Sequence, residues 1–327
     1  MPSDDDYCGT RVLVLGSSGF IGRWVVAELI RRGAEVHAAA RDPETARHGL
    51  RPWRVEPLFH RFEARVHGGL ESLVEETSPD LVFNLAGYGV DPRERDPHEA
   101  RRVNVELVLR LAETLRKSPR PDSDWPGQRL VHVGSAAEYG AVQGDLSESG
   151  PCAPQGLYGE TKLAGTLGLV AAARASGLAG LTARLFTVYG AGERSGRLFP
   201  SLIRLAREGG VLELTDGRQV RDFTAVDQVA RALVDLARAP AEAGLVVNVA
   251  SGVLNSVRSF SERIAAALGI ESDRLIFGAR AARDGEMSHD AVTNERLRSL
   301  GVAPPDDDLE GGLRRSLEWL PRMRHDD

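Results

Sequence analysis

The chain has 327 residues, 42% hydrophobic and 27% charged, a length that suits one large α/β unit with a smaller lobe. Its net charge of −6 argues against a nucleic-acid partner or an anionic membrane surface. Cys8 and Cys152 provide neither a disulfide framework nor metal-ligand spacing, and the acidic N-terminus has no apolar core. We therefore expect a cytoplasmic protein without a metal site, a membrane span or a nucleic-acid partner.

A glycine-rich loop follows the first predicted strand. The apolar run at 12–15 predicts a strand buried on both faces, and an amphipathic segment at 24–32 predicts a helix. Between them, Gly16, Gly19 and Gly22 are spaced three apart. Strand, loop and helix in this order place backbone N–H groups where a pyrophosphate can bind. The pattern predicts a dinucleotide site, with a plain tight turn as the alternative.

The end of the second strand indicates which dinucleotide is bound. This strand is predicted at 35–40, and Arg41 follows it directly, with Asp42 one position later. In dinucleotide-binding folds an acidic residue here bonds the ribose 2′-OH of NAD, whereas Arg accommodates the 2′-phosphate of NADP. The order therefore favours NADP, with NAD possible. The alternative is that Arg41 is an ordinary surface arginine.

The remaining segments alternate between strand and helix patterns. Residues 43–60 lack clear periodicity and are interpreted as a loop, and a third strand is predicted at 64–70 before a helix at 71–77. A fourth strand (79–87), a long helix (96–117), a fifth strand (129–133) and a sixth strand (181–186) follow. A helix at 227–238 and a strand at 245–250 are expected to return to the same sheet. Such alternation predicts a parallel, doubly wound α/β sheet.

Tyr158 and Lys162 begin an Ala- and Leu-rich segment that is typical of a helix. Their spacing of four places both side chains on one helix face. An ammonium beside a phenol favours the phenolate and so lowers the pKa of the tyrosine towards the working range of an acid–base catalyst. Of the 41 Lys and Arg residues only Lys117 and Lys162 are lysines, which indicates that this site needs an ammonium. A chance Tyr and a solvated Lys are the alternative.

Motifs along nearly the whole chain, in the right order, resemble the extended short-chain dehydrogenase/reductase (NAD-dependent epimerase/dehydratase) family. They are the glycine loop, Asn84-Leu85-Ala86-Gly87, Gly134-Ser135-Ala136-Ala137-Glu138-Tyr139-Gly140, Tyr158-x-x-x-Lys162, and the segments at 184–190, 216–227 and 247–252. The resemblance implies a Rossmann sheet formed by residues 1–187, with 223–250 returning to it. It also implies a smaller C-terminal substrate lobe formed by 188–222 and 251–327, and a homodimer formed through the helices near 96–117 and 156–177.

The resemblance further implies roles for individual residues. Tyr158 would exchange a proton with a carbonyl/alcohol pair, Lys162 would hold the nicotinamide ribose and lower the Tyr158 pKa, and Ser135 would hydrogen-bond the substrate oxygen. The implied cofactor contacts are Gly16, Ser18, Gly19, Phe20, Ile21, Gly22, Arg41, Gly69, Leu70, Leu85, Ala86, Gly87, Asn104, Tyr158, Lys162 and Phe186. The implied substrate contacts are Ser135, Thr187 (where the family often has Asn), Arg197 and Arg221, the last on a nucleotide diphosphate.

Two alanines distinguish between the reactions of this family. The 4,6-dehydratases carry an Asp-Glu pair directly after the Ser/Thr, whereas Ala136 and Ala137 can transfer no proton. The motif resembles instead reductases of 4-keto-6-deoxy sugar nucleotides, and a reductase that consumes hydride suits NADPH. We therefore expect an NADPH-dependent nucleotide-sugar 4-ketoreductase. The alternatives are an NAD-dependent nucleotide-sugar 4-epimerase, a reductase of a non-sugar carbonyl and a non-catalytic NADP sensor.

Overall fold

The computed structural model describes residues 6–66, 68–91, 93–118, 124–142, 144–240, 243–281 and 288–323. The strands in these ranges are β1 (Arg11–Leu15), β2 (Glu35–Ala40), β3 (Leu58–Arg61), β4 (Leu81–Asn84), β5 (Leu130–Ser135), β6 (Asp145–Leu146), β7 (Gly180–Leu185), β8 (Thr187–Tyr189), β9 (Leu212–Leu214), β10 (Val220–Ala225), β11 (Leu245–Val249), β12 (Leu254–Ser256), β13 (Leu275–Phe277) and β14 (Ala291–Val292). The helices are α1 (Phe20–Arg31), α2 (Pro43–Leu50), α3 (Leu70–Thr77), α4 (Pro97–Arg101), α5 (Leu107–Lys117), α6 (Gly156–Ser176), α7 (Leu198–Glu208), α8 (Val226–Arg238), α9 (Val257–Ala267), α10 (Glu295–Ser299) and α11 (Leu309–Trp319).

Seven parallel strands form the central sheet, in the order β11-β7-β5-β4-β1-β2-β3. The predicted doubly wound Rossmann sheet is thereby confirmed. The chain moves outwards from β1 in one direction and then returns to β4 on its other side, so the strand order reverses between β1 and β4. Ligands of open α/β sheets bind outside the carboxyl ends of the strands at such a reversal.

Helices cover both faces of this sheet because its strands are apolar on both faces. In β1, Val12 and Val14 pack into a core with α1 and α8, while Leu13 and Leu15 pack into a second core with α3, α5 and α6. Successive residues of a strand point to opposite faces, so one short apolar run supplies both cores.

A third core lies outside the central sheet. It is built on a three-stranded sheet in the order β12-β10-β8 and includes the stacked rings of Phe223 and Phe260, whose centroids are 4.1 Å apart. Phe260 belongs to a segment that we predict to form the smaller lobe, whereas Phe223 belongs to the segment 223–250 that we predict to return to the central sheet. Strand β10 spans the predicted boundary at 222/223, and the division into lobes stays a prediction. In the described ranges no helix is long and apolar enough to cross a bilayer.

Two sequence assignments before β4 are wrong. Residues 43–60, interpreted as a loop, contain α2 and β3, and the third strand therefore lies at 58–61 rather than 64–70. Helix α2 begins with Pro43, and the Asp42 carboxylate accepts hydrogen bonds from the Glu44 N–H (3.1 Å) and the Thr45 hydroxyl (2.6 Å), which are ordinary start signals. Strand β3 lies at the sheet edge with Leu58 53% exposed, so it lacks a buried apolar run. His67 of the predicted strand lies outside the described residues.

Candidate active site

The glycine loop brings the ends of β1 and β4 into contact at the strand-order reversal. Gly16 has a φ of +79°, and a Cβ there would lie 2.8 Å from the Ala86 nitrogen. A Cβ on Gly22 would lie 2.1 Å from the Gly16 carbonyl oxygen, so α1 can start this close to β1 only with glycine at both positions. Gly19 caps α1 without a side-chain hydrogen bond to its first N–H groups. An uncapped helix start of this kind suits a phosphate group.

A cavity opens at this reversal and contains part of the predicted cofactor set. Gly16, Ser18, Gly19, Arg41, Leu85, Ala86 and Gly87 line it. Phe20, Ile21 and Gly22 form the first turn of α1 beside the cavity. Gly69 and Leu70 are placed elsewhere: Gly69 caps α3 and Leu70 is fully buried in the core under the sheet. The glycine-lined cavity and the uncapped helix start beside it fit a dinucleotide.

The cavity also has a charged wall that the sequence analysis missed. Phe62, Glu63, Ala64 and Arg65 follow β3 and line the cavity beside Arg41, which follows the neighbouring strand β2. The Arg65 guanidinium donates from Nε and an Nη to the two carboxylate oxygens of Glu63, both at 3.1 Å. A correct position for β3 would have revealed these residues, because the residues that follow neighbouring parallel strands lie side by side. The Asp42-Pro43 helix start is the signal that could have corrected that position.

Asn104 connects the loop after β4 to the helix that carries Tyr158 and Lys162. It lies in a π-helical turn, Arg102–Glu106, between α4 and α5. Its amide group pairs with the backbone N–H and carbonyl of Tyr88 (3.0 and 2.9 Å) and donates to the Thr161 hydroxyl (2.9 Å). Gly165 lets α6 approach closely, since a Cβ there would lie 2.0 Å from the Asn104 carbonyl oxygen. A π turn is frequent where function requires a side chain to be re-aimed.

Tyr158 and Ser135 meet at the carboxyl end of β5. Tyr158, on the first turn of α6, and Ser135, the last residue of β5, lie close enough for the Ser135 hydroxyl to lower the pKa of the Tyr158 phenol. The Ser135 hydroxyl also accepts the Ala137 N–H at 3.2 Å. Gly159 permits this approach, because a Cβ there would lie 2.6 Å from the Ala137 carbonyl oxygen. The two predicted catalytic hydroxyls are thus adjacent.

Lys162 reaches the same strand but does not act on the Tyr158 phenol as predicted. Its Nζ donates to the Val133 carbonyl at 2.6 Å, and the side chain is buried. Burial lowers the Lys162 pKa to about 8. Burial also raises the pKa of Tyr158, and the Ser135 hydrogen bond opposes that rise. The expected lowering of the Tyr158 pKa by Lys162 is therefore wrong for this structure: the surroundings favour the neutral phenol.

Two loops approach Tyr158. A Cβ on Gly89 would lie 3.3 Å from the Tyr158 ring, so the loop after β4 rests on that ring. An ion pair between Asp91 and Arg194 joins this loop to the loop before α7. In the second loop Arg197 Nε donates to Glu193 Oε1 at 3.3 Å, and the charge of Arg197 acts on the Tyr158 phenol. Arg197 is therefore a predicted substrate residue that lies close to the catalytic pair.

The other predicted substrate residues lie around Phe186, between β7 and β8. The His289 ring packs edge-on against Phe186 at 5.7 Å, and burial together with the charge of Arg221 lowers the His289 pKa to about 4. Thr187 follows Phe186 directly and pairs with Phe223 of β10, the strand that carries Arg221. This places Phe186, Thr187 and Arg221 on connected elements. Phe186, which we predicted as a cofactor contact, does not line the cavity.

This arrangement can support proton transfer between a phenol and an oxygen atom held by Ser135. The Tyr158 phenol is a group that can release a proton, and the buried Lys162 side chain lies on the same helix, as an acid–base site requires. Among the residues that the structure describes, no group of three or more His, Cys, Asp or Glu side chains could hold a metal ion.

Comparisons with known proteins agree with the geometry. The chain is 33% identical over 276 residues to the dTDP-6-deoxy-L-talose 4-dehydrogenase (NAD(P)(+)) of Kitasatospora kifunensis, covering 80% of each chain. It is 29% identical to the dTDP-L-rhamnose 4-epimerase of Burkholderia thailandensis, covering 95% of each. Among solved structures, MoeE5 in complex with UDP-glucose and NAD is similar, with a TM-score of 0.79 and 30% identity over 95% of this chain and 98% of that one.

A protein-family model matches residues 12–250, which include the glycine loop, Ser135, Tyr158 and Lys162. The chain thus belongs to the NAD dependent epimerase/dehydratase family.

Proposed function

We propose that this protein is an NADPH-dependent reductase of the C4 ketone of a nucleotide-activated 4-keto-6-deoxyhexose. The bound cofactor would supply the hydride to the carbonyl carbon. Tyr158 would donate its proton to the oxygen, and Ser135 would hold that oxygen by a hydrogen bond. Lys162 would hold the cofactor ribose.

The observation that carries this proposal is the composition of the β5 end. The Ser135 hydroxyl lies close enough to the Tyr158 phenol to act on its pKa, and the two residues that follow Ser135 are alanines. Burial raises the pKa of Tyr158, so the phenol is protonated at neutral pH and ready to act as an acid. Carbonyl reduction needs one proton donor beside the hydride, whereas removal of water needs an additional acid and base. The site supplies the first requirement and lacks side chains at 136 and 137 for the second.

The charges at the cavity mouth support NADPH. Arg41 and Arg65 line the same wall, and guanidinium groups bind phosphate oxygens in a bidentate manner. Glu63, which holds Arg65, is a carboxylate that could also accept a ribose hydroxyl of NADH. The relative from Kitasatospora kifunensis is named as using NAD(P)(+), which is consistent with either cofactor.

The substrate class is argued from position and from the relatives. The relative from Kitasatospora kifunensis is, by its name, a 4-dehydrogenase of a dTDP-linked 6-deoxy sugar, which is the reverse of the proposed reduction. We propose that segments 188–222 and 251–327 receive the nucleotide sugar, with Arg197 and Arg221 on its diphosphate and Ser135 and Thr187 on the sugar. Helices α5 and α6 are proposed as the homodimer face, and the cytoplasm as the location.

A nucleotide-sugar 4-epimerase with bound NAD is the second candidate. Its support is the similarity to the dTDP-L-rhamnose 4-epimerase and to MoeE5, whose structure holds NAD. An epimerase returns its hydride to the substrate, so it would retain NAD through purification and consume no NADPH.

The test is a 340 nm assay of purified protein with NADPH or NADH and a panel of enzymatically generated 4-keto-6-deoxy nucleotide sugars. We expect NADPH oxidation with one or more of them, and reduction at C4 in the product by NMR. Tyr158→Phe should abolish turnover while NADPH still binds, because the phenyl ring keeps the packing and loses the proton. No oxidation by the wild type, together with NAD found bound to it, would overturn the reductase in favour of the epimerase.

A further inference from the structure

A fully buried carboxylate lies directly behind Ser135. Glu138 ends the short 3₁₀ turn Ala136–Glu138 after β5, and none of its side chain is exposed. One of its oxygens accepts the backbone N–H of Ser135 at 2.9 Å, and the other accepts the Nε–H of Arg184 at 2.8 Å. A charge is stable in a protein interior only when it is paired and hydrogen-bonded. Both conditions are met for Glu138.

The surrounding strands are shaped to accommodate this ion pair. Gly134 precedes Ser135, and a Cβ there would lie 2.5 Å from the nearer Glu138 oxygen. Arg184 is the partner of Gly134 in the β5–β7 register, so the guanidinium extends beside the glycine towards the carboxylate. The same guanidinium lies over the Tyr139 ring, 4.5 Å from its centroid. A glycine, an arginine and an aromatic ring on three segments thus enclose one carboxylate.

Two consequences for the catalytic residues follow from this position. Glu138 accepts the backbone N–H of Ser135, and the Ser135 hydroxyl accepts the N–H of Ala137. The hydroxyl proton is therefore left to face Tyr158 and the substrate. Lys162 and Glu138 also bond to the same end of β5, the ammonium to the Val133 carbonyl (2.6 Å) and the carboxylate to the Ser135 N–H (2.9 Å). From there the charge of Glu138 raises the pKa of Lys162 against the larger lowering effect of burial.

The other groups facing the two catalytic side chains do not duplicate this charge. His132 lies beside Lys162, and burial and the ammonium charge keep its pKa well below the ordinary value, so it is neutral. Glu94 and Arg197 act on Tyr158 together with Glu138, and neither contributes to the pKa of Lys162. Glu138 is therefore the anionic group that stabilises the buried ammonium.

We propose that Glu138 is a positioning residue, which holds Ser135 in place and whose negative charge keeps the buried Lys162 in its ammonium form. Its consequence for catalysis rests on the proposed function, but the ammonium can be titrated without any turnover.

The experiment uses the fact that the chain has only two lysines. Protein labelled with ¹³C at lysine Cε gives two side-chain signals, and Lys117, which is 67% exposed, is the reference. We expect the wild-type Lys162 signal to titrate near pH 8 and the Glu138→Gln signal to titrate at a clearly lower pH. Glu94→Gln is the matched control, since it removes a carboxylate that acts on Tyr158 alone, and its Lys162 titration should match that of the wild type.

A double variant guards against misfolding. Glu138→Gln alone leaves the Arg184 charge buried without its carboxylate partner. Glu138→Gln with Arg184→Met removes both charges and places an apolar side chain at position 184. In the double variant we expect a thermal midpoint near that of the wild type and a Lys162 titration that remains lowered. We also expect kcat to fall at least about tenfold with little change in KM, as for an interaction that acts in the transition state. Glu138 raises the pKa of Tyr158, so its removal should lower that pKa. The decline of kcat at high pH should therefore begin at a lower pH than in the wild type.

The outcomes separate the two proposals. An unchanged Lys162 titration in both variants overturns the electrostatic role, and a wild-type kcat in the double variant overturns the positioning of Ser135. A Lys162 titration that is lowered in Glu138→Gln, together with a wild-type protein that reduces no keto sugar, supports the role of Glu138 and refutes the proposed function instead.

Discussion

Gly165 offers a sharp test of how the π turn positions the catalytic helix. In Gly165→Ala the new Cβ would lie 2.0 Å from the Asn104 carbonyl oxygen, a backbone atom that cannot rotate away. An ordinary contact begins at 3.4 Å, so α6 and the π turn must separate by about 1.4 Å (3.4 less 2.0). Asn104 also bonds Thr161, which lies between Tyr158 and Lys162, so the shift reaches both catalytic side chains.

The expected magnitudes differ for stability and for turnover. Overpacking of a close contact costs about 1–3 kcal/mol of unfolding free energy. Alanine returns up to about 1 kcal/mol through its higher helix propensity, so the net loss of stability should be about 2 kcal/mol or less. Displacement of catalytic groups by about 1 Å can cost about 100-fold in rate. We therefore expect a folded variant with kcat reduced about 100-fold.

Gly168→Ala on the same helix is the matched control. Its Cβ would lie 2.7 Å from the Cδ2 of Leu109, the end of a flexible side chain that is 39% exposed and can move aside. Thermal unfolding and steady-state kinetics of both variants decide the matter. Wild-type turnover in Gly165→Ala, or an equal loss in both variants, would refute the view that this close approach sets the catalytic geometry.

Three further predictions concern the cofactor, the substrate loop and assembly. Arg41→Asp should raise the NADPH dissociation constant at least about tenfold more than that for NADH, and equal changes would remove Arg41 as the 2′-phosphate reader. Burial raises the Glu193 pKa to about 7, so above pH 7 its carboxylate competes with the substrate diphosphate for Arg197. The substrate KM should therefore be higher at pH 8 than at pH 6, and Glu193→Gln should remove this difference; a KM that rises with pH in both proteins contradicts the competition. Leu167 is 57% exposed on α6, and Leu167→Glu should convert the expected dimer to a monomer by sedimentation, which an unaltered dimer would disprove.

Local chemistry was sufficient to predict the start of the fold and the catalytic helix. The glycines at 16, 19 and 22 are required by contacts within one strand–loop–helix unit, and neighbouring residues specify that unit. The apolar run of β1 predicts a strand that is buried on both faces, since its alternate residues enter two different cores. Tyr158 and Lys162 face β5 because a spacing of four residues places them on one side of α6.

Edge position explains why β3 and its surroundings were mispredicted. An edge strand with one side towards solvent needs no continuous apolar run, so its sequence carries a weak signal. The placement of Glu63 and Arg65 beside Arg41 depends on the pairing of β2 with β3, which no local pattern encodes.

The protonation states of the catalytic groups depended entirely on the tertiary structure. The sequence alone determined which residues meet on α6 and that the chain contains a dinucleotide-type strand–loop–helix unit. Only the folded chain placed Ser135 and Arg197 near the Tyr158 phenol, and buried Lys162 close to His132 and one carboxylate. A pKa reflects burial and the charges within a few ångströms. Those neighbours come from segments far apart in the chain, so spacing along one helix could predict that Tyr158 and Lys162 share a face of α6 but not the direction of the Tyr158 pKa shift.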